Sequence, residues 1–391
     1  MNFAKTQNIR SLEKRPIRVL YVDLWQGPAQ AHYTGPLLHA LCSEPEIQIG
    51  LLHNRNQDLF FYPEQMERFP IHAPTGLRLD QWDRLILQPW EFIQCLRALE
   101  KFNPDIIHLV FSYPWFTLYL RHLSKRHPVS CTLHDITPHH GEEHLRNRMA
   151  IQAMIRYCDP IFVHGRQCFE TAKHLYPEYA GRFVEIPLGH CDFLNSGGAG
   201  DTLPEKATFL FFGRLLPYKG LSLALKAFEE IIHEYPDARM IIAGEGSLTG
   251  EKSLIFPLRN NLEIINRVIT ERELAELMGR SLAVLAPYTH ASGSAVVTTS
   301  YAFARPVIAS NSGGMKDMVI NEKTGWLVEP GSVKGMVNAM KQAIENPVHM
   351  LEMGRHAKEY ALREWSWDKI ARIHIQAYKD LMRKRRISES L

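Results

Sequence analysis

The chain has 391 residues, of which 45% are hydrophobic and 22% charged, enough for two or three domains with cores of their own. A net charge of +3 is too mild to point to a nucleic-acid partner, and no apolar run reaches the ~18 residues of a membrane span. The N-terminal "MNFAKTQNIRSLEKRP" carries no apolar leader segment, and six widely spaced cysteines without a Cys-x-x-Cys pair read as reduced thiols of a cytoplasmic protein.

Residues 1–15 read as a flexible start. "IRVLYVD" (17–23) is the first short apolar run and predicts a buried strand. It leads into "DLWQGPAQAHYTG" (23–35), where a dinucleotide fingerprint would need Gly-x-Gly-x-x-Gly. Only Gly27 and Gly35 are present, which disfavours a nicotinamide dehydrogenase. Further strands are predicted at 104–110, 127–135, 159–165 and 182–189, with helical patterns such as "PLLHALCSE" and "WEFIQCLRALEKF" between them. This alternation predicts βαβ units and a parallel sheet.

"NSGGAGDTLPEK" (195–206) breaks the pattern and reads as an interdomain linker. Strands then resume at 207–213, 238–244, 262–268, 282–288 and 305–310, and helices at about 333–345, 348–363 and 366–385 close the chain. Leu221, Leu225, Phe228 and Ile232 place one apolar face on the helix that follows Lys219. The fold expected is α/β, with two Rossmann-like halves. An N-terminal domain spans 16–196, a C-terminal domain spans 203–364, and a final helix covers 365–391.

Three constellations carry chemistry. In "FFGRLLPYKGL" (211–221), Arg214 and Lys219 stand on a short turn between a strand and a helix, with Gly213, Pro217 and Gly220. A helix N-terminus with a planar guanidinium and an ammonium suits an anion; a plain βα loop with solvated cations is the alternative. In "HASGSAVVTTSYAFARPVIASNSGG" (290–314), Gly293 permits backbone that a Cβ would block, and Ser294 is a helix N-cap candidate. Val296, Val297, Thr298 and Thr299 prefer strands, so a buried strand is the alternative there. In "TLHDITPHHGEEH" (132–144), His134, Asp135, His139, His140 and His144 follow a strand, where open sheets bind ligands. Their spacing and Pro138 disfavour a metal site, leaving a structural histidine or a substrate contact. The basic stretches 121–127 and 383–386 read as a solvated helix face and a charged tail, with contact to anionic lipid as the alternative.

Taken together, "GRLLPYKG" (213–220), "RPVIASNSGG" (305–314), "NEKTGWLVEPG" (321–331) and "WSWDKIARIHIQAY" (365–378) resemble the retaining glycosyltransferases of the GT-B fold, family 4. "PDIIHLV", "TLHD" and "IPLGHCDF" fit the N-terminal half less specifically. The resemblance implies two Rossmann-like domains facing across a cleft, with the last helix crossing back to the first. It implies a nucleotide-sugar donor, a UDP- or GDP-sugar with the base left open, a glycan or lipid-linked acceptor, and no obligatory metal or other cofactor. By the same resemblance Arg214 and Lys219 hold the donor diphosphate and His134 lies near the donor sugar. Gly27, Gly213, Gly293, Ser294, Ala295, Val296 and Thr299 belong to the donor site, and Arg267 and Val268 meet the base. His32, Asp135, His139 and His140 are acceptor-side candidates. The family's two glutamates, eight positions apart, fall here on Ala291 and Thr299, so altered donor contacts are expected. The alternatives are a non-catalytic relative acting as a nucleotide-sugar-binding or partner-activating subunit, and a nucleotide-sugar epimerase. The cytoplasm, with a peripheral position at the inner face of the membrane, is the location expected.

Overall fold

Strand β1 (Ile17–Asp23) forms on the first apolar run, and its last five side chains are buried, as befits a parallel strand covered on both faces. The computed structural model to which it belongs describes residues 15–24, 28–71, 82–111, 114–136, 145–195 and 202–390. Around β1 are β2 (Ile47–Asn54), β3 (Glu67–Ile71), β4 (Ile106–Leu109), β5 (Val129–Leu133), β6 (Ile161–His164) and β7 (Phe183–Ile186). They make one seven-stranded sheet in the order β3-β2-β1-β4-β5-β6-β7, with every pair parallel.

The second sheet holds β8 (Thr208–Phe212), β9 (Arg239–Ala243), β10 (Leu262–Ile265), β11 (Ala283–Ala286), β12 (Val307–Ser310) and β13 (Gly325–Val328). Its six strands run in the order β10-β9-β8-β11-β12-β13, again all parallel. Strand order reverses between β1 and β4 in one sheet and between β8 and β11 in the other. Ligands of open parallel sheets settle outside the carboxyl ends at such a switch point.

The chain divides into two compact units. One contains the first sheet and, from Trp367 onward, the last helix; the other contains Gly165–Cys168 and Pro187–Ser366. Within the first unit, helix Trp367–Ser390 packs on helix Pro28–Cys42. A buried polar chain pins it to the sheet. The Tyr378 hydroxyl lies 2.8 Å from that of Tyr21 and 2.8 Å from His108 Nδ1, and His108 Nε2 reaches Thr132 Oγ1 at 3.0 Å. In the second unit, helix Leu221–Glu234 buries Leu221, Leu225 and Phe228 as its period demands, and completes the face with Ile231.

One predicted strand ends early, and one open choice between helix and strand falls to the helix. Strand β10 stops at Ile265, which leaves Arg267 and Val268 in a loop. Residues 295–302 are helical despite four β-branched side chains. The sequence pattern also passed over β2, β3 and β13. Gly50 interrupts β2 because a Cβ there would lie 2.9 Å from the Phe102 ring. β3 contains Pro70 and is an edge strand, where proline is tolerated.

Candidate functional site

At the β8 end of the second switch point the chain turns sharply. Gly213 (φ +97°) leaves the strand, Pro217–Lys219 make one 3-10 turn, and Gly220 (φ +75°) opens helix Leu221–Glu234. Only glycine fits at 220, since a Cβ would sit 2.0 Å from the Pro287 carbonyl oxygen. The two cations end in different surroundings. Arg214 is exposed, whereas Lys219 is buried, at 8% exposure. The Lys219 ammonium lies over the bare α-carbon of Gly213, 2.9 Å from where a Cβ would stand. Burial pulls its pKa down to about 8, and the neighbouring Arg214 charge adds to the shift.

From the β11 side comes Tyr288, 3% exposed. Its ring centre is 5.6 Å from Lys219 Nζ, and its hydroxyl is 3.4 Å from Ser294 Oγ. Ser294 occupies the N-cap position of helix Ala295–Ala302, but its side chain does not cap that helix. Val296 Cγ2 lies 3.6 Å from the Cβ position of Gly213. Thus Gly213, Lys219, Ser294 and Val296 come together at the switch point, with Ala295 exposed beside them. A helix start leaves backbone N–H groups without intrahelical partners and carries partial positive charge, so the place suits an anion.

Gly293 differs from expectation. A Cβ there would meet only Met318 Sδ at 3.9 Å, an ordinary contact, so close packing does not demand glycine. The tight approach is at Gly313 and Gly314, whose Cβ positions fall 2.1 and 2.0 Å from the carbonyl oxygens of Ala291 and Ser292. Ala291 is 1% exposed. Thr299 is buried, and the hydroxyl of its neighbour Thr298 lies 3.4 Å from the Cys191 thiol. Arg267 is bound to Glu273 through contacts of 3.0 and 2.5 Å, and Val268 is exposed. Both follow the edge strand β10, away from the switch point.

The first unit has its own cluster. His134, just after β5, stacks on Phe111 at 4.2 Å and meets Tyr33 edge-on at 4.8 Å and His164 at 4.7 Å. Burial pulls its pKa down to about 4, opposed by Asp135 and by a hydrogen bond to the Val110 backbone, so the ring is neutral near pH 7. Its Nε2 is buried without a hydrogen-bond partner. Asp135 is half-buried beside it. His32 lies on helix Pro28–Cys42 with Phe61 edge-on at 4.9 Å. Gly27, His139 and His140 lie outside the described residues. Sequence reasoning missed Tyr288, which reads there as nothing more than the last residue of an apolar run.

Residues 200–363 match the family described as "Glycosyl transferases group 1", and residues 52–190 match "Glycosyltransferase Family 4". Each match covers less than half of the chain, and the two together run over both of its halves, whose fold is GT-B. Among curated relatives, a glycogen synthase of Mycobacterium tuberculosis is 28% identical over 176 residues, 44% of this chain and 42% of the relative. A GDP-mannose-dependent monoacylated alpha-(1-6)-phosphatidylinositol monomannoside mannosyltransferase of Corynebacterium glutamicum is 26% identical over 178 residues, 44% of this chain and 46% of the relative. The match therefore spans less than half the length of these relatives. In fold, the chain is similar to sucrose-phosphate synthase from Thermosynechococcus elongatus, with TM-score 0.73, 19% identity, and coverage of 94% of this chain and 100% of that one. It is similar too to Anabaena HepE in complex with UDP, with TM-score 0.66, 18% identity, and coverage of 93% and 100%.

Proposed function

We propose that this glycosyltransferase moves a sugar, with retention of configuration, from a nucleoside-diphosphate sugar to a hydroxyl of a glycan, lipid-linked saccharide or small acceptor. The observation that carries the reading is the buried Lys219 ammonium, held over Gly213 beside the start of helix Ala295–Ala302. In this reading Lys219 and Arg214 grip the donor diphosphate, and the backbone N–H groups around Ser294, Ala295 and Val296 meet its oxygens. As the glycosidic bond breaks, negative charge grows on the leaving phosphate. Cations fixed in a partly dry site then stabilise the transition state more than the ground state. A donor phosphate oxygen takes the acceptor proton, so no carboxylate base is required.

The neutral His134, through its unpartnered Nε2, hydrogen-bonds a hydroxyl of the donor sugar. Gly27 lies near the phosphates or sugar, and Arg267 and Val268 border the base, the uracil of a UDP-sugar or the guanine of a GDP-sugar. His32, Asp135, His139 and His140 serve the acceptor. Ala291 and Thr299 replace the family's paired glutamates, so sugar and ribose are held by other groups. A GDP-mannose-dependent relative and a fold neighbour bound to UDP support either nucleotide. Six cysteines outside any disulfide support a reducing, cytoplasmic setting, with a lipid-linked acceptor bringing the protein to the inner membrane surface. Among the described residues no helix is long and apolar enough to cross a membrane.

The replaced glutamates favour one second reading, a nucleotide-sugar-binding relative without turnover. A panel of UDP-, GDP-, ADP- and CDP-sugars decides between the two. Release of nucleoside diphosphate with an acceptor present supports transfer. A raised melting temperature without release supports the binding relative, and isomerised sugar nucleotide without acceptor points to an epimerase.

A further inference from the structure

The first unit gathers positive charge at the end of its sheet opposite His134. Arg126 and His127 precede β5, and Arg383, Arg385 and Arg386 lie in the last turns of helix Trp367–Ser390. These two basic stretches, far apart in sequence, line one hollow of about 730 Å³, together with Arg15 and Lys379. The hollow sits at the amino ends of β1, β4 and β5, since Ile17, Asp105 and Pro128 also line it.

Its charges do not balance. Six arginine and lysine side chains face two carboxylates, Glu46 and Asp105. Asp105 is occupied by both Arg15 terminal nitrogens at 2.9 and 2.8 Å and by the Arg18 N–H at 2.9 Å. Glu46 accepts from Lys379 Nζ at 2.7 Å. The Arg383 guanidinium reaches Asp380 at 3.5 Å on the exposed helix face, a contact worth little in water. Among the described residues no lining carboxylate is left over for Arg126 and Arg386. The imidazole of His127, depressed first by burial, is lowered further by Arg385 and Arg126, so the field there is positive.

Folding that holds like charges around a concavity costs free energy, and a bound anion offsets it. Guanidinium forks suit phosphate oxygens, and the volume is that of a ligand pocket. We propose that this hollow is a binding site for a phosphate-bearing anion with more than one charged group, separate from the donor site. A soluble polyphosphate and the headgroups of an anionic bilayer share that chemistry.

The test uses full-length protein carrying Arg214→Ala and Lys219→Ala, so that donor-site binding is not read. One arm titrates pyrophosphate and inositol hexakisphosphate by calorimetry. The other floats the protein with phosphatidylcholine vesicles, with and without phosphatidylglycerol. The comparison protein carries Arg126→Glu and Arg386→Glu in addition, and circular dichroism confirms that it is folded. Salt-sensitive binding of a soluble anion, at least tenfold weaker in the comparison protein, supports the site and assigns a free ligand. Flotation that needs phosphatidylglycerol and is lost in the comparison protein supports it and assigns a headgroup. Absence of binding in both arms, or equal binding by the two proteins, overturns it. Neither arm depends on sugar transfer, so this inference and the transferase reading fail separately.

Discussion

The Lys219 ammonium stands 5.6 Å from the centre of the Tyr288 ring, and that ring joins the β8 turn to the helix that begins after Ser294. A cation over an aromatic face is stabilised by about 0.5–2 kcal/mol, more when desolvated. Tyr288 therefore positions the lysine without needing to touch the donor. Tyr288→Leu is expected to weaken nucleoside-diphosphate binding by about three- to thirtyfold. Tyr288→Phe keeps the ring, loses only the long contact to Ser294, and is expected to bind nearly as the parent does. Calorimetric titration of UDP and GDP against both variants measures the difference.

Lys219 titrates near pH 8 because burial, and then Arg214, disfavours its charged form. Donor kcat/KM is therefore expected to fall as pH rises through about 8, when the free enzyme loses that charge. Arg214→Ala removes the neighbouring cation. It should lower activity at neutral pH and move the alkaline limb upward. A pH–rate profile of the two proteins reports the shift, and identical limbs would show that Arg214 does not act on Lys219.

Much of this was legible in the sequence, because buried parallel strands read as continuous apolar runs. β1 and β8 fall where "IRVLYVD" and "ATFLFFG" place them. β2 escaped because Gly50, which makes room for Phe102, interrupts its apolar run, and β13 because it opens on Gly325 and leaves only three apolar residues. Helix Ala295–Ala302 defies the propensity of its valines and threonines. Residues 296–302 are all buried, so tertiary packing overrides local preference. The cations at 214 and 219 were visible, but their unequal burial was not, since it depends on Tyr288 and Val296 arriving from elsewhere. Gly293 misled because its neighbours Gly313 and Gly314, distant in sequence, make the close approach.

Gly220→Ala forces a Cβ to within 2.0 Å of the Pro287 carbonyl oxygen, at φ +75°. The expected loss of stability is about 1–3 kcal/mol, and the displaced turn should also lower donor affinity. Gly250 is the control, since a Cβ there meets nothing within 4 Å. Gly250→Ala is expected to stay within about 0.5 kcal/mol of the parent. Urea midpoints of the two variants provide the comparison.

Acid should loosen the first unit. His374 is fully buried, its Nδ1–H donates to the Ile370 carbonyl, and burial pulls its pKa down to about 4. The unfolded chain takes up a proton near pH 6.5 while the folded one refuses it until about pH 4. Its stabilising contribution is thus complete above pH 6.5 and is lost as pH falls from there to 4. At pH 5 the loss from this one residue is about 2 kcal/mol relative to pH 7. His374→Phe, beside the Phe162 ring it stacks on, should flatten the dependence in urea melts at pH 5 and 7.

A structure of the protein with a nucleoside diphosphate bound tests the central claim most directly. The account predicts the pyrophosphate at the β8–β11 switch point, its oxygens within about 3 Å of Lys219 Nζ and of the backbone nitrogens of Ala295 or Val296. A pyrophosphate lodged elsewhere, with Lys219 still turned over Gly213 and making no contact to it, would contradict the account.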